Sequence, residues 1–213
     1  MRYYPICLDI RDKEILVIGG GKVAERKVIM LLECGGNNIT LISPDVTEGI
    51  EELYNSRKIG YISGEYEREY IKDASIVFAA TDNRNINAEI ASEAKKRDIL
   101  INVVDQPEIS SFILPSVVKR GDLQISVSTS GKSPALAKTL REEIEKLFGS
   151  EYEIFLDILG GIRKRLLKEN PSEDKRQKIF YDLVKSDILI LLKEGRKEEA
   201  EDKAIEIMRS KDG

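Results

Sequence analysis

The chain has 213 residues, 41% of them hydrophobic, enough to build one large domain or a nucleotide-sized domain with an appendage. Charged residues make up 34%, and the net charge of −4 argues against nucleic-acid binding by bulk electrostatics. There is no histidine. This excludes Ser-His-Asp and Cys-His catalysis and imidazole metal ligation, so no metal-ligand set is expected and proton transfer must fall to carboxylates, Lys, Tyr, Cys or water.

The only cysteines, Cys7 and Cys34, form no CxxC pair. Two reduced thiols are expected rather than a zinc site or a disulfide framework. The N-terminus MRYYPICLDI lacks the apolar region of a signal peptide, and no apolar run approaches about 18 residues. No membrane association is expected, and the expected compartment is the cytoplasm.

In chain order, Glu14–Ile18 is a short apolar strand that ends in glycines. A helix is predicted from about Val23, with Val28, Leu31 and Leu32 at helical spacing and Cys34-Gly35-Gly36 closing it. Ile39–Ile42 is a second strand, stopped by Ser43-Pro44, and Ile59–Ile62 a weaker third. Ile76–Ala80 is a fourth, followed by a helix over Asn85–Arg97, and Leu100–Val104 a fifth. This βαβ alternation predicts an α/β fold, a parallel sheet covered by helices on both faces.

The pattern then changes. Ser111–Val118 and Leu123–Ser128 flank Lys119-Arg120-Gly121-Asp122 and read as an antiparallel hairpin, with Pro115 keeping the first strand off a fully paired position. Ser133 as N-cap and Pro134 at N1 open a helix striped by Leu136, Leu140, Ile144 and Leu147. Beyond Gly149 the chain reads as all helical. One helix carries Tyr152 to Leu166 and breaks at Asn170-Pro171; a second carries Phe180, Leu183, Ile188 and Leu192; a third carries Ala200, Ala204 and Met208.

Gly19-Gly20-Gly21-Lys22-Val23-Ala24 fits G-x-G-x-x-A between a strand and a helix. Gly19 allows a tight turn, Gly21 lets the backbone approach a pyrophosphate, and Ala24 permits close helix–strand packing. The phosphate then meets free N–H groups, from Lys22 and Val23 onward, and the helix dipole. The competing explanation is an ordinary tight βα turn. An acid for the ribose is expected at the end of the second strand. Asp45 stands there beyond Pro44, and Ser43 or backbone groups are the alternatives. No Arg or Lys occupies that corner to hold a 2′-phosphate, which favours NAD over NADP. Thr81-Asp82-Asn83, after the fourth strand, reads equally as a cofactor edge or as an Asx turn capping the next helix.

Five stretches occur in order: Leu16–Lys27, Ala79–Asn83, Asn102–Asp105, Phe112–Pro115 and Ser130–Pro134. Together they resemble precorrin-2 dehydrogenase, the dehydrogenase (and in some members ferrochelatase) module of sirohaem synthases, over about residues 1–148. The length resembles the stand-alone form, without the methyltransferase domain of fused synthases. The resemblance implies a Rossmann-type NAD-binding domain over 1–112, a dimerisation segment over 113–149 and a helical domain over 150–213. It also implies NAD-dependent oxidation of precorrin-2 to sirohydrochlorin, Fe2+ insertion by some members, and an interlocked homodimer. Its key catalytic aspartate, in the NVVD motif, falls on Asp105, with Asn102 in the same motif. Where the family pattern often reads NVVDDPE, this chain has Gln106, which leaves Asp105 alone for acid–base work; the frequent SSGG is here Ser128-Thr129-Ser130-Gly131.

Taken alone, Asp105 is a turn-forming aspartate; after a strand of an open α/β sheet it also stands where ligands gather. A polycarboxylate substrate needs a basic patch on an acidic chain. Lys119, Arg120, Lys132, Lys138 and Arg141 supply cations against Asp122. The loop Thr129-Ser130-Gly131-Lys132-Ser133 precedes a helix N-terminus that favours anions, and solvated loop charge is the competing explanation. Two other functions fit the same motifs less fully: a non-catalytic NAD-sensing regulatory module, and an NAD reductase for another small substrate.

Overall fold

The computed structural model describes residues 3–210. The chain divides into two compact units, residues 1–114 and 115–213.

The first unit is a five-stranded parallel sheet with strand order β3-β2-β1-β4-β5, formed by β1 (Ile15–Ile18), β2 (Ile39–Ser43), β3 (Gly60–Ser63), β4 (Ile76–Ala79) and β5 (Leu100–Val103). β1 and β4 are fully buried, as strands covered on both faces must be. Alternate residues feed two cores. Ile15, Val17, Leu41 and Phe78 pack with Ala24, Val28 and Leu31 of α1 (Lys22–Glu33) and Ile50 of α2 (Glu48–Asn55). Leu16, Ile18, Val77 and Ile101 pack with Ile90, Ala91 and Ala94 of α3 (Arg84–Lys96) and with Ile71 of a short 3-10 helix at Arg68–Ile71. The predicted α/β class and parallel sheet are therefore present. α2 has no counterpart in the sequence reading. Thr47 is its N-cap, accepting from Ile50 N, and a single buried side chain holds it, so its apolar stripe is too thin to read.

The second unit carries a hairpin of β6 (Ser116–Arg120) and β7 (Leu123–Val127), then α4 (Pro134–Leu147), α5 (Glu151–Glu169), α6 (Glu173–Lys185), α7 (Ile188–Lys193) and α8 (Lys197–Arg209). Phe155, Ile162, Leu166, Ile179, Leu183, Ile188, Ala200 and Ala204 form the core of the last four.

Two expectations are corrected. The hairpin's first strand starts at Ser116, not Ser111, because residues 110–112 are used by β5. The Ser110 hydroxyl accepts from Val103 N at 2.9 Å, the Ser111 hydroxyl from Ile101 N at 2.8 Å, and Ser111 N donates to Ile101 O. These bonds occupy the outer side of an edge strand that would otherwise present unpaired backbone groups. The helix expected over Phe180–Leu192 is two, because Ser186 interrupts it: its hydroxyl donates to Leu183 O at 2.7 Å and accepts from Ile188 N. Among the described residues no helix is long and apolar enough to cross a membrane.

Candidate functional site

Strand order reverses at β1, whose neighbours are β2 and β4, and the crevice at such a point, beyond the strands' carboxyl ends, is where open α/β sheets bind ligands. The glycine turn lies there. Gly19 has a left-handed φ of 114°, and a Cβ on it would meet Ala80 O at 2.4 Å, so the turn passes hard against the end of β4. Gly20 is required for a different reason. Its Cβ would meet Asp45 O at 1.9 Å and Ser43 Oγ at 2.7 Å, and Thr47 N donates to Gly20 O at 3.1 Å. The loop after β2 is thus seated directly on the glycine turn. Around the missing Cβ of Gly21 there is nothing within 4 Å. Gly21 is the N-cap of α1, and no side chain caps that terminus. Uncapped N–H groups at a helix N-terminus beside open space suit an anion such as a pyrophosphate. Lys22 is exposed and paired with Glu25 at 2.9 Å, and Val23 is half-buried behind it. Thr47 also donates to Glu25, and these two partners hold the Glu25 carboxyl below the usual range.

Ser43 is buried against Gly20, whereas Pro44 and Asp45 are exposed at the outer rim, which leaves Asp45 and not Ser43 open to a ribose hydroxyl. Across the crevice Thr81 is bound into the protein. Its hydroxyl donates to Asn87 Oδ1 at 2.8 Å, and Asn87 Nδ2 returns a bond to Thr81 O at 3.0 Å. Asn87 is only 2% exposed, a buried polar side chain that the sequence reading missed. The Asx cap of α3 is made by Asn83, which accepts from Asn85 N and Ile86 N, leaving Asp82 exposed at the rim.

Asp105 follows β5 at the same edge. It has a left-handed φ of 57°, a conformation Asp tolerates better than most residues, so it serves the turn. Its exposed carboxylate makes no hydrogen bond among the described residues and is free to face a ligand. Asn102, 8% exposed, donates from Nδ2 to Phe112 O at 3.1 Å and accepts from Lys27 Nζ at 2.9 Å. Lys27 is the second residue that sequence reasoning missed. Its signal was a lysine within the apolar stripe of Ala24, Val28 and Leu31. Burial pushes its pKa down to about 8, helped by Arg26 and opposed by Asp105.

The remaining candidates lie in the second unit. Ser130 and Gly131 both have left-handed φ angles, 55° and 81°. The Thr129 hydroxyl accepts from Ser133 N at 3.1 Å and donates to Ser133 O at 3.0 Å, while Ser133 caps α4 by accepting from Leu136 N. The loop is therefore preformed, with Lys132 exposed on it. The basic patch is smaller than the sequence suggested. Arg141 is paired with Glu142 and Glu145, Lys138 lies 3.9 Å from Glu142, and Arg120 is bound to Phe148 O and the Glu145 carboxylate. The acids that neutralise the patch sit on the helix that carries Lys138 and Arg141.

Residues 6–116 match the family model described as putative NAD(P)-binding. The chain belongs to this family. Residues 120–147 match a second model, described as the central part of a sirohaem biosynthesis protein. Among curated proteins, the chain is 33% identical over 201 residues to a siroheme synthase of Photorhabdus laumondii, covering 94% of this chain and 43% of that protein. It is 36% identical over 189 residues to siroheme synthase 1 of Aeromonas salmonicida, covering 89% and 40%. The chain thus spans less than half the length of these relatives. Among solved structures, SirC, a precorrin-2 dehydrogenase, superposes with a TM-score of 0.80 at 22% identity, covering 96% of this chain and 100% of SirC. This shows a shared fold: a Rossmann-type NAD(P)-binding unit followed by a hairpin and helices.

Proposed function

We propose that the chain oxidises precorrin-2 to sirohydrochlorin with NAD+, in the manner of the sirohaem-pathway proteins it resembles. The observation that carries this reading is the exposed Asp105 carboxylate, without a hydrogen bond among the described residues, on the same sheet edge as the open Gly21 turn. The N–H groups of the Gly21–Val23 turn would hold the pyrophosphate, and Asp45 a ribose hydroxyl. The absence of a basic residue among Ser43-Pro44-Asp45 supports NAD over NADP. When bound, the nicotinamide supplies the hydride acceptor.

Each oxidation removes one hydride and one proton from the tetrapyrrole. Asp105 accepts the proton and, being exposed, passes it to water. Lys132, on its preformed loop, meets a substrate carboxylate. Exposed apolar side chains on β6 and α4, namely Val117, Leu136, Leu140 and Leu147, support a homodimer formed through this segment. Fe2+ insertion would be a second reaction of the same bound ring, with Fe2+ as substrate.

The test is anaerobic incubation with precorrin-2 and NAD+, following the absorbance of sirohydrochlorin and NADH. Asp105→Asn should lower kcat by about 10²-fold or more. Full activity in Asp105→Asn would overturn its role. NAD+ binding by the unsubstituted protein with no turnover would leave a sensing module instead. Adding Fe2+ to sirohydrochlorin against a protein-free control reads the chelatase activity.

A further inference from the structure

Lys27 has no part in the reading above. It is half-buried on the sheet side of α1, one turn beyond Val23. Its Nζ donates to Asn102 Oδ1 at 2.9 Å and rests 5.2 Å from the centroid of the Phe78 ring, a favourable place for a cation. Asn102 cannot turn away, because its Nδ2 is committed to Phe112 O. Phe112 in turn packs edge-on against Phe78 with ring centroids 5.7 Å apart. Residues from α1, β4, β5 and the segment after β5 therefore fix one ammonium in one place.

An ammonium has three N–H donors, and Asn102 occupies one. Among the described residues no carboxylate is hydrogen-bonded or ion-paired to Lys27. Arg26 on its own helix and Asp105 beyond β5 are the charged groups that act on it, and both act at a distance. β4 and β5 face it with Phe78 and Asn102, both uncharged, and the Phe112 that packs on Phe78 and binds Asn102 is uncharged too. Desolvating a cation with no counter-ion is costly, and a neutral side chain could tether α1 to Asn102 without that cost. A fixed, half-buried cation with spare donors, close enough to feel Asp105, has the chemistry to hold an anion.

We propose that Lys27 is a substrate-anchoring residue that, with Asn102 behind it, holds one carboxylate of the bound substrate at the β5 end of the sheet and so positions the ring against Asp105. This rests on the reading of a polycarboxylate tetrapyrrole as substrate and deepens it by naming a cation in the first unit that meets it. A bound carboxylate stabilises the ammonium and raises its pKa. Above about pH 8, where the unliganded lysine has lost its proton, binding must take one up.

The experiment is calorimetric titration of the full chain with sirohydrochlorin at pH 7 and pH 8.5, the latter in two buffers of different ionisation enthalpy. The unsubstituted protein should bind with a fractional proton uptake at pH 8.5. Lys27→Met should bind roughly 10- to 100-fold more weakly at pH 7, with no uptake. Lys27→Arg, charged at both values, should keep most of the affinity and lose the uptake, a result that a purely structural tether would not give. Should Lys27→Met fail to fold, Lys27→Arg alone decides the matter. Affinity and proton uptake unchanged in the substituted proteins would overturn the Lys27 assignment and leave the proposed function standing. No binding by the unsubstituted protein would overturn both.

Discussion

Adjacent glycines in the turn after β1 should respond in opposite ways to the same one-carbon substitution. In Gly20→Ala the added Cβ would fall 1.9 Å from Asp45 O, 2.7 Å from Ser43 Oγ and 2.9 Å from Ser43 Cβ. The nearest atom is backbone, and Ser43 is buried at the end of β2. Relief therefore requires the loop after β2 to lift, which breaks the bond from Thr47 N to Gly20 O. Overpacking of this kind costs about 1–3 kcal/mol, or a fall in Tm on the order of 5–15 °C for a unit of this size. In Gly21→Ala the Cβ meets nothing within 4 Å and φ is −81°, which alanine adopts freely. Stability should fall by no more than about 1 kcal/mol, the usual difference between Gly and Ala at an N-cap. NAD+ affinity should nevertheless fall by roughly 10- to 100-fold if the proposed site is right, because the methyl group would stand in the path of the pyrophosphate and cost it a charge-assisted hydrogen bond. Thermal unfolding by circular dichroism and NAD+ titration calorimetry read the two effects separately. An unshifted Tm in Gly20→Ala would refute the packing argument. Unchanged NAD+ affinity in Gly21→Ala would refute the location of the pyrophosphate.

Three further outcomes are expected. Asn87→Leu should lose about 1–3 kcal/mol in denaturant unfolding, because the Thr81 carbonyl loses the buried Asn87 amide that donates to it, and the Thr81 hydroxyl keeps only its longer bonds to Asn83; an unchanged midpoint would show that this clamp is dispensable. Lys132→Ala should raise the KM for the tetrapyrrole, whereas Lys138→Ala should not, since Lys138 already lies beside Glu142; equal effects in steady-state kinetics would contradict the pairing. The folded-state pKa of Lys27 lies at about 8, against 10.5 unperturbed, so the unfolded chain holds a proton there that the folded chain has released. Lys27 therefore makes stability rise with pH between about 8 and 10, and Lys27→Met should flatten that slope in denaturant melts across the window.

The glycine turn was legible because its chemistry is local: three glycines, a strand before them and a helix after them form one unbroken stretch from Ile15 to Glu33. The strands were legible for the same reason. β1 and β4, buried on both faces, are unbroken apolar runs. The hairpin start was misplaced because Ser110 and Ser111, polar and unremarkable in sequence, spend their hydroxyls on β5. The basic patch was overestimated because Lys138 and Arg141 were counted without Glu142 and Glu145, which stand four residues on along the same helix and pair with them. Lys27 and Asn102 are 75 positions apart, and no local pattern links them.

The sequence by itself determined the fold class, the glycine turn after the first strand and the position of Asp105 after the fifth strand, because each follows from contiguous residues obeying a short-range rule. The tertiary structure alone decided why Gly20 must be glycine, which polar groups near Thr81 are already satisfied, and that a half-buried lysine is bonded to Asn102. Each of these depends on what a distant segment places within a few ångströms, and that distance is set by sheet order and helix packing.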